Sequence, residues 1–363
     1  MELLSKYVEF KNGKKRPVAK GYIPVYGGNG ILDYTDTANM QGGVVIGRVG
    51  AYCGNVFLVR DKCWVSDNAI KAMCHENIDL GYLYYLLSSL QLNERRIGTS
   101  QPLLTQNILN NIEVEVPELT IQKKIAGLLE LFDSKIKLNK EINKNLEQQA
   151  QALFRLSFVD NANPKWRNGI LSDLGTIIAG GTPSKSKPEY YAERGIAWIT
   201  PKDLSLDKSK FISRGEIDIS ELGFSKSSAV KMPAGTVLFS SRAPIGYIAI
   251  AANEVTTNQG FKSVIPNKNI GTAFMYYLLK WLLPTIERMA SGSTFKEISG
   301  AGMKSVPTVI PDDNTIRQFN DFCAPVFQQQ AILEAENTRL SNMRDSLLPK
   351  LMSGELDVSD LDI

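Results

Sequence analysis

Two arginines stand where short β-prone runs give way to small residues. Arg48 follows Val44-Val-Ile-Gly47 and precedes Val49-Gly50, and Arg242 follows Thr236-Val-Leu-Phe-Ser-Ser241 and precedes Ala243-Pro-Ile-Gly246. A guanidinium at a strand end with little bulk beside it can hold a phosphate or fork onto O6 and N7 of a guanine. The competing reading is a surface arginine paired with a nearby carboxylate, a contact that contributes about 0–1 kcal/mol. Amides and hydroxyls recur at matching places: Ser66-Asp67-Asn68 against Thr257-Asn258-Gln259, and Ser100-Gln101-Pro102-Leu103 against Thr294-Phe295-Lys296-Glu297. Cationic turns add Lys14, Lys15 and Arg16, then Thr182, Ser184, Lys185 and Lys187, then Lys202. The candidate contacts to double-stranded DNA are these eight residues together with Arg48, Asn68, Gln101, Arg242, Asn258, Gln259, Thr294 and Lys296. Singly, each is more often a solvated turn than a contact; recurrence in both halves sets them apart.

Signatures of catalysis are missing. Gly42-Gly-Val-Val-Ile-Gly47 is followed by Arg48 and Val49 rather than the Lys and hydroxyl of a phosphate-binding loop, so it reads as strand and turn. Asn163-Pro164-Lys165-Trp166 resembles the NPPY-type motif of amino-methyltransferases, but Lys stands where the second Pro belongs and no glycine loop for S-adenosylmethionine accompanies it. Cys53, Cys63, Cys74 and Cys323 lack CxxC spacing, and the single histidine, His75, adjoins Cys74. Buried thiols are the reading preferred over an irregular zinc site. No catalytic or metal-ligating residue is assigned.

The elements that must position the candidate contacts are repeated. Gly98–Pro117 and Gly292–Pro311 have equal length at an offset of 194 residues, and the aromatic runs at Tyr82 and Phe274 pair at 192. Near the starts, Leu3-Leu-Ser-Lys and Ile170-Leu-Ser-Asp match at 167, so the second half carries an insertion of 27 residues. Each half reads as a mixed domain followed by a long helix. The first helix, capped by Thr120, carries Ile125, Leu128, Phe132, Ile142, Leu146 and Leu153 on one stripe, and the second carries Phe319, Val326, Leu333, Leu340 and Leu347. Spacings of three and four make these the seam of a coiled pair, with Asn139 and Asn337 as register-fixing polar positions and Pro325 as a bend. Some thirty-six helical residues span about 54 Å, roughly one and a half turns of B-form DNA.

Around these elements, glycine pairs at Gly27-Gly28, Gly42-Gly43 and Gly180-Gly181 read as turns, and Leu80–Leu92 as a helix with core tyrosines. The chain has 363 residues, 22% charged and 43% hydrophobic, which fits two globular domains. Charge is uneven: +6 over residues 165–312 and −5 over 313–363. A basic domain beside an acidic helix suggests a polyanion on the first and a protein partner on the second, although ordinary solvated faces would read the same way. No membrane-spanning run or signal peptide is evident, so a cytoplasmic location is expected.

Together, Trp166 ahead of Leu171-Ser-Asp-Leu-Gly175, Gly180-Gly-Thr-Pro-Ser184, Ser241-Arg242 to Gly246, Asn258-Gln-Gly260, Ser291-Gly-Ser-Thr294 and the ending Leu347–Leu356 resemble the specificity subunit of a type I restriction-modification system. The likeness covers the whole chain and is closest in its second half. It implies an α+β chain with two target recognition domains at 1–117 and 161–311. They are held apart by antiparallel helices at 118–160 and 312–352, with an acidic tail at 353–363. It further implies that each domain reads part of a split DNA target. Two methyltransferase subunits using S-adenosylmethionine would sit on the helices, with motor-nuclease subunits using ATP and Mg2+ in the full complex and no cofactor on this chain. The first half begins without the lead-in seen at Trp166, and the tail Ser353–Asp360 is expected to supply it by packing near the N-terminus. Rival readings are a coiled-coil scaffold whose domains bind proteins or glycans, and a self-sufficient methyltransferase.

Overall fold

The computed structural model describes residues 1–98, 102–242, 244–292 and 296–361. They form two compact units, Met1–Lys137 with Thr338–Ile363, and Leu138–Asn337. In chain order the first mixed region contains β1 (Glu2–Leu3), β2 (Val8–Asn12), β3 (Ile23–Gly27), β4 (Gly30–Thr35), β5 (Met40–Gly47), β6 (Val56–Val65), β7 (Ala69–Cys74), α1 (Leu80–Ser89), α2 (Gln106–Asn110) and β8 (Glu113–Val114). The long helix α3 (Leu119–Arg155) follows. The second region contains β9 (Arg167–Ile170), β10 (Gly175–Ala179), β11 (Tyr191–Ala192), β12 (Trp198–Ile199), α4 (Pro201–Leu206), β13 (Phe211–Ile212), β14 (Asp218–Ile219) and α5 (Glu221–Ser225). It continues with β15 (Val237–Ser241), β16 (Ile245–Ala251), β17 (Thr256–Thr257), β18 (Lys262–Pro266), α6 (Thr272–Met289), α7 (Gly300–Lys304), β19 (Pro307–Ile310) and the long helix α8 (Asp313–Met352).

In the first unit the sheet runs β2-β7-β5-β6-β3-β4. Strand β2 shows the period of two: Val8 and Phe10 are buried, while Glu9 and Lys11 face solvent. The Gly42-Gly43 pair is not a turn. It lies inside β5, where the register against β6 shifts and both glycines take positive φ, 67° and 142°. An extra residue in a paired strand makes a bulge, and only glycine adopts these angles without strain. Asp79 caps α1 by accepting from the Tyr82 amide, and the helix buries Tyr82, Leu83 and Leu86 against the sheet. Helix α3 begins at Leu119, so Thr120 lies within its first turn rather than at its cap. Its start is tied by Gln122, almost wholly buried, which accepts from the Asp79 amide and donates to the carbonyls of Asn77 and Pro117. The tail returns to this unit: Val358 is buried in the cluster that holds Leu4 and Tyr7, and Lys124 Nζ donates to the Ser359 carbonyl at 2.6 Å.

The second unit orders its sheet β10-β18-β15-β16-β13. The run β10-β18-β15-β16 has the same succession as β2-β7-β5-β6. Between β10 and β15, where the first unit has only β3 and β4, this unit has β11, β12, α4, β13, β14 and α5; β11 pairs with β14, and β12 with β17, which lies beyond β16. The expected cationic loop at Thr200–Asp203 is instead the start of α4. Thr200 Oγ1 and Asp203 form a reciprocal capping box, with Pro201 at the first helical position.

Within this unit α3 and α8 run antiparallel, since Asn139 meets Asn337, Asn143 meets Gln330, and the rings of Phe154 and Phe319 lie 5.7 Å apart. Helix α8 passes through Pro325 as one element. Phe319, Val326 and Leu333 are buried, and Leu146 and Leu153 pack partly buried beside them. Ile142 is a correction: it is exposed, and Asn143 takes the neighbouring inward position. The inward spacing of buried Ile136, Asn139 and Ala150 with half-buried Asn143 and Leu146 alternates three and four, so position 142 falls outside it. In the first unit Ile125 is buried, Leu128, Phe132, Leu340 and Leu347 are half-buried, and Leu129, beside Leu128, is fully buried in the core cluster of that unit.

Candidate nucleic-acid interface

The second unit contains a groove of about 620 Å³ lined by Thr182, Lys185, Trp198, Thr200, Lys202, Asp203, Glu216, Arg242, Asn258 and Gln259, among others. Six candidate contacts thus converge from four separate stretches. Close backbone approach brings them together. A Cβ at Gly180 would stand 1.9 Å from the Asn258 carbonyl, so only glycine lets the segment after β10 lie on the one before β18. Trp198 Nε1 donates to the Gly181 carbonyl and the Tyr191 hydroxyl to the Pro183 carbonyl, and these two rings meet edge to face. Asn258 Oδ1 accepts from the Gly260 amide, and the exposed Gln259 side chain stands at the rim.

Charge in the groove is mixed. Lys202 Nζ lies 2.5 Å from Glu216, and Arg242 Nη1 lies 3.4 Å from Glu297 Oε2. Asp203 is buried and spends its carboxylate on the Thr200 amide and hydroxyl and on the Glu216 amide. Ser184 and Lys187 are exposed on the loop that carries Lys185, where they bond Ser186 and pair with Glu189 rather than line the groove. Lys296 is exposed beside Glu297, whereas Thr294 and Gln101 lie outside the described residues. A hollow of about 680 Å³ beside Gly271 and Arg317 is larger, but its amides are spent on the fold. Asn320 bonds the Ile270 carbonyl and Phe274 amide, and Asn269 bonds Asp313.

The matching place in the first unit joins Arg48 to Asn68, whose carbonyl accepts the Arg48 amide at 2.9 Å. Lys14 pairs by its backbone with Ser66 and Val65. Arg48 Nη1 lies 3.4 Å from the Asp67 carbonyl, and its Nε is buried without a partner among the described residues. Lys15 is exposed and Arg16 stands 4.0 Å from Asp33, both farther along the connection to β3. Cys53, Cys63 and Cys323 are buried in three different core clusters. Among the described residues no group of three or more His, Cys, Asp or Glu could hold a metal ion.

Comparison with known families decides between the readings. The model of the type I restriction modification DNA specificity domain matches twice, over residues 6–148 and 163–341. The chain belongs to this specificity family. Similar members include the MjaIX specificity subunit of Methanocaldococcus jannaschii, 38% identical over 178 residues, which are 47% of this chain and 41% of that protein. The match to that relative therefore spans less than half of its length. The HindI specificity subunit of Haemophilus influenzae is 26% identical over 338 residues, covering 72% of this chain and 73% of its own. The fold is that of the type I S subunit from M. genitalium, at a TM-score of 0.64 and 20% identity over 99% of this chain and 96% of that one. Among the described residues of this family member, no helix is long and apolar enough to cross a membrane.

Sequence reasoning missed Trp198, Tyr191 and Asp203, which build the groove rather than face it with charge. The one signal was their position: all lie between Gly180 and Thr236, where the second half of the specificity chain is longer than the first.

Proposed function

We propose that this chain sets the DNA target of a type I restriction-modification complex and catalyses nothing itself. Residues 1–117 and 161–311 act as recognition domains, each reading one half of a bipartite duplex target. The helices 118–160 and 312–352 set the gap, and 353–363 closes the first domain. Two methyltransferase subunits dock on the helices and supply S-adenosylmethionine chemistry, and restriction subunits bring ATP and Mg2+, all in the cytoplasm. The observation that carries the reading is the groove of the second unit, where Thr182, Lys185, Lys202, Arg242, Asn258 and Gln259 converge. Arginine forks and amides are the side chains that read base edges, and lysines hold phosphates.

The test is duplex binding by the assembled complex across a salt series, with methylome sequencing of cells that carry it. Phosphate contacts make log affinity fall linearly with log salt. Exchanging residues 161–311 for those of a relative should change one half of the methylated motif and leave the other intact. A salt-independent affinity, or a swap that alters both halves, contradicts the proposal.

A further inference from the structure

We propose that Arg242 and Glu297 together read one G·C base pair in the half of the target met by the second unit. The inference rests on the DNA-reading function proposed above. The two residues are held side by side by backbone pairing. Arg242 and Glu297 form an antiparallel bridge, the Ile298 amide donates to the Ser241 carbonyl at 3.1 Å, and Glu297 exchanges both backbone bonds with Ser291 at 2.9 and 3.1 Å. Their side chains are equally exposed, 37% each, and meet through Nη1 and Oε2 at 3.4 Å. A charge-assisted bond closes to about 2.7–2.9 Å. The contact is therefore loose and leaves most of the five guanidinium donors available.

In the major groove a G·C pair presents two acceptors, guanine N7 and O6, next to one donor, cytosine N4. A guanidinium beside a carboxylate is the complement of that edge. An A·T pair would put its N6 donor against the arginine and its O4 acceptor against the carboxylate, and a reversed C·G pair would mismatch both. The dyad therefore selects the base pair and its orientation.

A site for phosphate alone would gain nothing from Glu297, because a carboxylate repels the duplex backbone. The first unit supplies the contrast. There Leu103 makes the equivalent backbone pairs, to Val49 and Ile97, and carries no charge. The place of Arg242 in that pairing is held by Val49, and Arg48, one residue earlier, lies against the Asp67 carbonyl. Behind the dyad, Lys262 is 10% exposed at its side chain and stands 3.5 Å from Glu297 Oε1, holding the oxygen not used by Arg242. The competing role for Glu297 is therefore to neutralise Lys262 and nothing more.

The experiment is selection from randomised duplexes by the complete complex with its methyltransferase subunits, using wild type, R242K and E297Q. Both replacements keep the size of the side chain, and thermal melting checks that each folds. Wild type should select a G·C pair at one position of the half-site. R242K keeps the charge and loses the fork, E297Q loses the acceptor charge, and each should relax that same pair by roughly tenfold to a hundredfold. E297Q should also bind scrambled duplex no more weakly than wild type. Uniform loss of affinity without relaxation at any position would leave Glu297 as the counter-ion of Lys262 and overturn the dyad. Relaxation at two different positions would overturn it as well. A wild-type complex without sequence preference would refute the underlying DNA-reading function, and the dyad with it.

Discussion

Replacing Glu147 by Gln removes the carboxylate on which Lys210 and Lys280 converge. Glu147 Oε2 lies 2.5 Å from Lys210 Nζ and accepts from the Tyr277 hydroxyl at 2.8 Å, and Oε1 lies 2.6 Å from Lys280 Nζ. The Lys210 side chain is 6% exposed, 4.2 Å from the centre of the Phe327 ring and 2.6 Å from Gln330 Oε1, so it is almost entirely withdrawn from water. Burial alone pushes the Glu147 pKa up, but the two lysines overcome it and hold it at about 2, against an ordinary 4.5. Counted on Glu147 alone, that difference corresponds to ~3 kcal/mol of stability near neutral pH, and burial, which pushes the Lys210 pKa down, works against it. Breaking one side of a buried ion pair independently suggests about 3–5 kcal/mol. Because the folded pKa is depressed, the stabilisation is complete above 4.5 and lost as pH falls from there through about 2. By about pH 3 roughly 2 kcal/mol of it is gone, whereas Gln does not titrate. Urea unfolding followed by tryptophan emission reports mainly on the second unit, which holds Trp166, Trp198 and Trp281. The variant should unfold earlier near neutral pH, and the gap to wild type should narrow in acid. A variant within about 0.5 kcal/mol of wild type, or a gap that does not change with pH, would refute the reasoning.

Two further substitutions test the helix pair. Leu129→Asp, at a fully buried position, should cost about 3–5 kcal/mol, whereas Ile142→Asp, at an exposed one, should stay within about 0.5 kcal/mol. Equal losses in thermal melting would mean that the inward phase has been misread. Asn139 is wholly buried, donates to Glu336 and Asn337, and leaves its own Oδ1 without a partner among the described residues. Leucine at both 139 and 337 should therefore raise the melting midpoint, by about 1–2 kcal/mol in stability, while widening the range of target spacings that the complex methylates. A lower midpoint would show the amide layer to be a net stabiliser.

What the sequence made legible, and what it did not, separates by the range of the interaction. The long helices, the helix starting at Leu80 and strands such as Val56–Val65 follow from periods that repeat within one element. The inward phase of α3 departs from the apolar pattern at Ile142, which is exposed beside Asn143, whose carbonyl accepts from Gln330. Hydrophobicity ranks Ile above Asn, and only the partner helix reverses that order. Arg242 could be picked out from its strand and small neighbours, but its carboxylate lies 55 residues later. The groove was legible as a set of polar loops and illegible as a place, since Gly180 meeting Asn258 is a contact of folded strands. Lys210 gave no signal at all: it lies in a polar stretch, Asp207-Lys-Ser-Lys210, and its partner Glu147 precedes it by 63 residues.

The inserted stretch of the second unit therefore has two mechanical duties. It walls the groove through Trp198, Thr200 and Asp203, and it sends Lys210 back to the helices, where Glu334 accepts the backbone amides of Lys210 and Phe211. An exchange of residues 161–311 would carry Lys210, Tyr277 and Lys280 with the new domain but leave Glu147, Gln330 and Glu334 behind on α3 and α8. A donor domain without a cation at the place of Lys210 would strand Glu147 in a buried site, at a cost of about 3–5 kcal/mol. Such a chimera should melt early, and Glu147→Met in the recipient helix should restore it, because an apolar side chain of similar length needs no partner. A chimera that keeps the lysine should need no rescue and should lose stability on the same Glu147→Met change. Chimeras indifferent to residue 147 would show that the domain is held by its apolar cluster alone, Phe154 against Phe274 and Phe319, and that the ion pair follows the fold without specifying it.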